Sequence, residues 1–141
     1  LDTLTYIINT MGSSAQSILV TADSVVARVD NLLARMQGGE GLIGSLMADS
    51  SKINKQVAEV FHNIIKITEE TKAGAEKFAE NMEALKRNWL FKSYFEERGY
   101  YDKTDYEQKL ENYIEQINTR LFRLDEKINE LKALEKKVQS K

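Results

Sequence analysis

The spacing of apolar residues constrains this chain more than any other feature. From the first residue they recur at every third or fourth position: Leu1, Leu4, Ile8, Met11, Ala15, Ile18, Ala22, Val25, Val29, Leu32 and Met36. The steps alternate three and four without a slip, which places all these side chains on one stripe of a helix, with Leu1 at a and Leu4 at d of a heptad. A strand would need alternation at period two. The 141 residues include no proline, a residue that costs ~3 kcal/mol inside a helix. The expected fold is all-α: long heptad-patterned helices forming a coiled coil or a helical bundle or barrel, in an oligomeric assembly.

Four segments follow from the pattern. The first long heptad helix covers 1–37. A glycine-rich break covers 38–49, and Asp49, Ser50 and Ser51 offer N-cap oxygens that accept from the first backbone N–H groups of the next helix. A second helical region covers 50–98, following Ile53, Val57, Val60, Ile64 and Ile67, then shifting phase through Thr71 and Ala75 to Phe78, Met82, Leu85 and Trp89. Such a shift is expected to relax a left-handed supercoil locally. Gly99 closes the region, and Asp102, Thr104 and Asp105 are candidate caps for a C-terminal coiled-coil helix over 105–141. Its seam has Leu110, Ile117, Leu124, Leu131 and Val138 at d and Ile114, Leu121, Ile128 and Glu135 at a. A helix that long cannot bury its stripe against itself and needs a partner helix. Leu1 already sits on the seam and the pattern still runs at Val138, so the chain is expected to be a piece of a longer one.

Charge separates the helices. Residues 1–37 carry five charged side chains, whereas 105–141 carry sixteen, eight of each sign. Exposed helices favour charged outer faces. The first helix has Ser, Thr, Asn and Gln off its seam and alanines at two a positions. Close neighbours on more than one side, as in a multi-helix bundle or barrel, account for this; so does a two-helix hairpin with a modestly polar exterior. The net charge of −2 gives no global field for nucleic acid, and no apolar run reaches the ~18 residues of a membrane span.

The glycines Gly39-x-Gly41-x-x-Gly44 match the spacing of a dinucleotide-binding fingerprint. That motif works only where the glycines follow a strand and open a helix, and here a helical heptad precedes them. They read as a helix break that permits positive φ. Enzymatic and metal chemistry lack an inventory. No cysteine is present, and the one histidine, His62, has no sequence partner for a hydrolytic triad. It reads as a packed or solvated surface residue. The pairs Glu69-Glu70 and Glu96-Glu97 point to different helix faces and read as solvated charge. No catalytic residue, metal site or cofactor is expected.

The stretch LKRNWLFKSYFEERGYYD, residues 85–102, holds six of the twelve aromatics, Trp89, Phe91, Tyr94, Phe95, Tyr100 and Tyr101, among basic residues. Aromatics at helical spacing most often pack, and Trp89, Phe91, Tyr94 and Phe95 are expected to dock a helix end against its neighbours. A partner-docking site, a membrane interface or a single-stranded nucleic acid platform are the other uses of such a mixture.

Two stretches carry a family resemblance. GGEGLIGSLMADSSKINKQVAEVFHNI resembles the glycine-broken helical segment that follows the β-barrel domain of mammalian cell entry (MCE) proteins, the MlaD-like lipid-transport components. The matching positions are Gly39, Gly41, Gly44, Leu46, Met47 and Asp49. Residues 85–102 resemble the family's basic-asparagine-aromatic run ending in Arg-Gly and aromatics. Together the two motifs span 38–102. The resemblance implies a periplasmic protein of a double-membraned bacterium, tethered to the inner membrane through an N-terminal helix. It also implies a homo-oligomer, hexameric in the family, that works with an ABC transporter permease and ATPase to carry phospholipid, with no nucleic acid partner. The family's β-barrel domain and anchor are not in this sequence, and 105–141 carries no family motif. On this basis Ile8, Met11, Ile18, Val25, Val29 and Leu32 are expected either to contact lipid or to form a bundle seam. The alternative to lipid transport is a purely structural coiled-coil spacer or oligomerisation module.

The helical context of the glycines generates a direct test. Calorimetric titration with NAD or ATP should be flat; micromolar binding abolished by Gly41→Val would restore the nucleotide site.

Overall fold

The computed structural model describes residues 3–37, 54–87 and 100–139, with side chains placed over 6–36, 58–87 and 105–137. These residues form three helices, α1 (Thr3–Gln37), α2 (Asn54–Arg87) and α3 (Tyr100–Gln139), and no strand among them. The protein is all-α in this region. The glycine break at 38–49 and the stretch 88–99 lie outside the described residues.

Two ion-pair ladders fix how the helices run. Asp23 pairs with Arg120 and Asp30 with Lys127, both across 97 positions of sequence, so α1 and α3 are parallel. Lys72 pairs with Asp125 across 53 positions and Lys86 with Glu111 across 25. The separation shrinks toward the α2–α3 connection, as it must between antiparallel neighbours. The three helices therefore run up, down and up. The α2–α3 contact is the most extensive and α1–α2 the least, so α3 is the shared element.

The interior follows the seams. Along α1 the a positions Ile8, Ala15, Ala22 and Val29 are buried, and the d positions Met11, Ile18, Val25 and Leu32 are half-buried. Leu19, at e, is buried too, and Leu33 packs against the interior from the same row. The stripe is thus wider than a strict a/d seam, as expected of a helix with two neighbours. Gly12 belongs to that row. A Cβ at Gly12 would lie 2.9 Å from the Tyr113 hydroxyl oxygen, so glycine lets this ring lie against the α1 backbone. Along α3, Leu110, Ile114, Ile117, Leu124, Ile128 and Leu131 are all buried, and the a/d pattern of the sequence matches the burial closely.

Two clusters fill the bundle. One joins Ile8, Ala15 and Leu19 to Ala75, Ala79, Met82, Leu110, Ile114 and Ile117; the other joins Val29 to Phe61, Ile65 and Leu131. Thr68 is also fully buried, and its hydroxyl donates to the Ile64 carbonyl at 2.7 Å within its own helix. That bond satisfies a polar group which would otherwise cost ~1–3 kcal/mol unpaired.

In α2 the structure corrects the sequence pattern. Val60 and Ile67 are exposed, at 36% and 55%, whereas Phe61, Ile65, Thr68, Ala75, Ala79 and Met82 are buried. Adding Lys72 and Lys86, the buried rhythm runs 61, 65, 68, 72, 75, 79, 82, 86, an unbroken alternation of four and three. The phase shift expected near Thr71 does not exist. It arises from following Val60 and Ile67, which lie on the outer side, and passing over two lysines that occupy seam positions. The third helix also starts earlier than expected, at Tyr100. Asp102, Thr104 and Asp105 are therefore inside it rather than capping it, and Asp105 pairs along the helix with Lys109 at 3.6 Å.

The corrected register has a measurable consequence. Phe61→Ala should cost ~3–5 kcal/mol of stability, the usual range for a buried aromatic. Ile67→Ala should change it by less than ~0.5 kcal/mol, as an exposed surface substitution does. Chemical denaturation of the two variants checks this. Equal losses would return Ile67 to the core.

Candidate functional site

The residues proposed to line a lipid-contacting or bundle seam converge on the interior. Ile8 and Val29 are 4% and 3% exposed. Met11 and Ile18 pack against the first apolar cluster and Val25 against the second, and Leu32 is half-buried. Within one chain they face α2 and α3 and form a continuous stripe along α1. The glycine motif Gly39, Gly41 and Gly44 and the aromatics Trp89, Phe91, Tyr94 and Phe95 lie outside the described residues.

The polar chemistry lies on the two flanks of α3. On one flank Arg120 makes a two-point contact with Asp23, Nε to Oδ1 at 3.1 Å and a terminal nitrogen to Oδ2 at 3.2 Å. Two turns further on, Lys127 pairs with Asp30 and with Glu130 of its own helix. On the other flank, Glu111 and Asp125 receive Lys86 at 2.7 Å and Lys72 at 2.9 Å. The two α2 lysines sit at seam positions with aliphatic stems covered and ammonium groups directed out to a carboxylate, the snorkelling arrangement open to a long cationic side chain. Sequence reasoning missed them because a seam is sought among apolar residues. The signal was available: filling positions 72 and 86 with any residue restores an unbroken heptad from Phe61.

The hydrogen bond from Lys72 to Asp125, that from Lys86 to Glu111 and that from Lys127 to Asp30 each raise the lysine pKa above its usual 10.5, against a smaller opposing effect of burial. These are the groups through which stability should respond to pH at the alkaline end.

A groove of about 600 Å³ runs between α2 and α3 on the side away from α1, and a second of about 450 Å³ continues it past Glu76 and Glu80. Ile114 and Asn118 line both grooves. Phe122, 72% exposed, stands on the α3 rim. A smaller apolar recess of about 240 Å³ lies between α1 and α2 at Ile18 and Gly74. His62 is exposed. Among the described residues no three His, Cys, Asp or Glu side chains gather to hold a metal ion, and no helix is long and apolar enough to cross a membrane. Compared with protein-family models, curated proteins and solved structures, the chain matches none.

Linkage gives the pH prediction its sign. A lysine whose folded pKa is raised binds its proton more tightly in the folded state. Its stabilising contribution is complete below the unfolded value of 10.5 and is lost as pH rises through the higher folded values. A triple variant, Lys72→Met, Lys86→Met, Lys127→Met, should therefore differ from the parent by a constant amount between neutrality and pH ~10. Above the usual lysine pKa the two stabilities should converge. Parallel urea titrations across this range check it; a difference that vanishes near neutrality instead would assign the linkage to other groups.

Proposed function

We propose that the chain is the helical part of an MCE-type periplasmic lipid-transport component, working with an ABC transporter and binding or conducting phospholipid between membranes. The observation that carries this is the pair of motifs at 38–49 and 85–102, which occur in the family's order and spacing. They bracket a single helix, Asn54–Arg87, at the points where the chain must leave α1 and enter α3. The continuous apolar stripe of α1 supports the lipid role. A phospholipid tail kept out of water saves ~0.8 kcal/mol per CH₂, and such a stripe offers that shelter along ~50 Å at 1.5 Å per residue. In the parent protein, on this reading, the chain is a homo-oligomer tethered to the inner membrane.

A second reading, a structural spacer or oligomerisation module, is favoured by one specific observation. The α1 stripe packs against α2 and α3 within the chain, which needs no lipid to explain it. The two readings differ in what touches Ile18 and Val25 in the assembled protein.

Photocrosslinking in cells separates them. A photoreactive residue at Ile18 or Val25, with radiolabelled phospholipid, should capture label that is absent at Gln16 and Ser24, both exposed on α1. No label at the seam while the parent protein still transports lipid would leave this region as scaffold. Native mass spectrometry of the purified chain adds the subunit count and any co-purified phospholipid.

A further inference from the structure

The outer face of α3 is charged and solvent-facing except at one place. Among the described residues Phe122 is the most exposed of the large hydrophobic side chains, at 72%, beside the groove between α2 and α3. Exposure of one aromatic is ordinary. What distinguishes Phe122 is the order of residues on either side of it. Along its own row, at heptad spacing, α3 presents Gln108, Glu115, Phe122, Asn129 and Lys136, all exposed apart from any contribution to the core. The neighbouring row toward α2 presents Glu111, Asn118, Asp125 and Lys132, also exposed. Of the charged residues in these rows, Glu111 and Glu115 precede Phe122, whereas Asp125, Lys132 and Lys136 follow it.

We propose that this face binds a second copy of the same chain, α3 against α3, antiparallel about a twofold axis at Phe122. In that register the two Phe122 rings meet at the axis. Glu115 faces Asn129 of the second copy and Gln108 faces its Lys136. Twofold symmetry keeps like flanks together, so Glu111 faces Lys132 of the second copy and Asn118 faces its Asp125. No like charges are opposed along either row, and the one opposite-sign pairing occurs twice by symmetry. A parallel pair would instead set Glu115 on Glu115 and Lys136 on Lys136, which like-charge repulsion disfavours. Such an interface is isologous, the form by which most homo-oligomers close. The overlap runs ~50 Å along each α3 at 1.5 Å per residue. The second helix enters the groove whose floor includes Ile114 and whose rim carries Glu115 and Asn118. The intrachain ladders survive, because Glu111 reaches Lys86 from one side and is 60% exposed on the other. This inference does not rest on the lipid-transport reading.

The chain has no cysteine, so single-cysteine variants report proximity cleanly. Phe122→Cys should form an interchain disulfide under mild oxidation with diamide, whereas Gln108→Cys alone should not. Mixing Gln108→Cys with Lys136→Cys chains should restore cross-linking. In sedimentation velocity, Phe122→Arg should raise the dimer dissociation constant by at least about tenfold with circular dichroism unchanged, since the side chain is exposed. Lys132→Glu should weaken the dimer, and adding Glu111→Lys should recover part of the loss. A monomer at all concentrations overturns the proposal. So does a dimer indifferent to Phe122→Arg, and self-cross-linking of Gln108→Cys would replace the antiparallel register with a parallel one.

Discussion

The arrangement depends on how α3 sorts its charges. Its flank toward α1 offers cations, Arg120 and Lys127, to Asp23 and Asp30; its flank toward α2 offers carboxylates, Glu111 and Asp125, to Lys86 and Lys72. Apolar seams alone do not decide which helix lies on which side, because a heptad stripe packs against either neighbour. Exchanging α1 and α2 about α3 would set lysines against Arg120 and Lys127 and aspartates against Glu111 and Asp125. Each partly exposed pair is worth only ~0–1 kcal/mol, so the ladders are a small part of the stability. Their weight lies in the difference between two arrangements, where four attractions become four repulsions.

That same sorting explains what could be read from the sequence and what could not. The α3 pattern was legible because every seam position from Leu110 to Leu131 is apolar and lies between two helices. The α1 pattern was legible at a and d, while Gly12 and Leu19 were not assigned, since a helix touched by two neighbours buries a wider stripe than a coiled-coil seam. In α2 the pattern misled. Two of its seam positions are lysines whose role is to reach carboxylates on α3, and exposed Val60 and Ile67 offered a tempting apolar substitute. A lysine in a heptad seam can be a cross-link to a neighbouring helix, which a search among apolar residues passes over. The ends of the ladders lie in another chain segment, which no local periodicity reveals.

Composition along α1 now has a physical account. Its low charge is not evenly spread. Asp23 and Asp30 are committed to α3, and off-seam positions such as Gln16, Ser17 and Ser24 are exposed and neutral. Small residues on the inner side, Gly12, Ala15 and Ala22, let its backbone approach α3, as the position of the Tyr113 hydroxyl near Gly12 demonstrates. The expectation of close neighbours on more than one side is met inside this chain by α2 and α3.

This bears on how a lipid could meet the α1 stripe. A side chain packed in a protein interior has no free surface for an acyl chain, because interiors are filled to crystal-like density. Ile18 and Val25 are half-buried, Ile18 at the recess between α1 and α2, but lipid contact along the whole stripe, buried Ile8 and Val29 included, requires α1 to part from the other two helices. Of the three, α1 makes the least extensive contact with the other helices. The α2–α3 contact is the most extensive, the α1–α2 contact is the least, and the small residues of α1 bury little apolar surface each. Separation would expose the stripe to water unless lipid or another helix covered it at once, at ~0.8 kcal/mol per CH₂ left bare. An acyl chain is a chemically adequate cover, since it offers the same apolar contact without the hydrogen-bonding demands of a polar partner. The hairpin of α2 and α3 would remain as the rigid platform, held by its lysine–carboxylate rungs, while α1 exchanged one apolar neighbour for another.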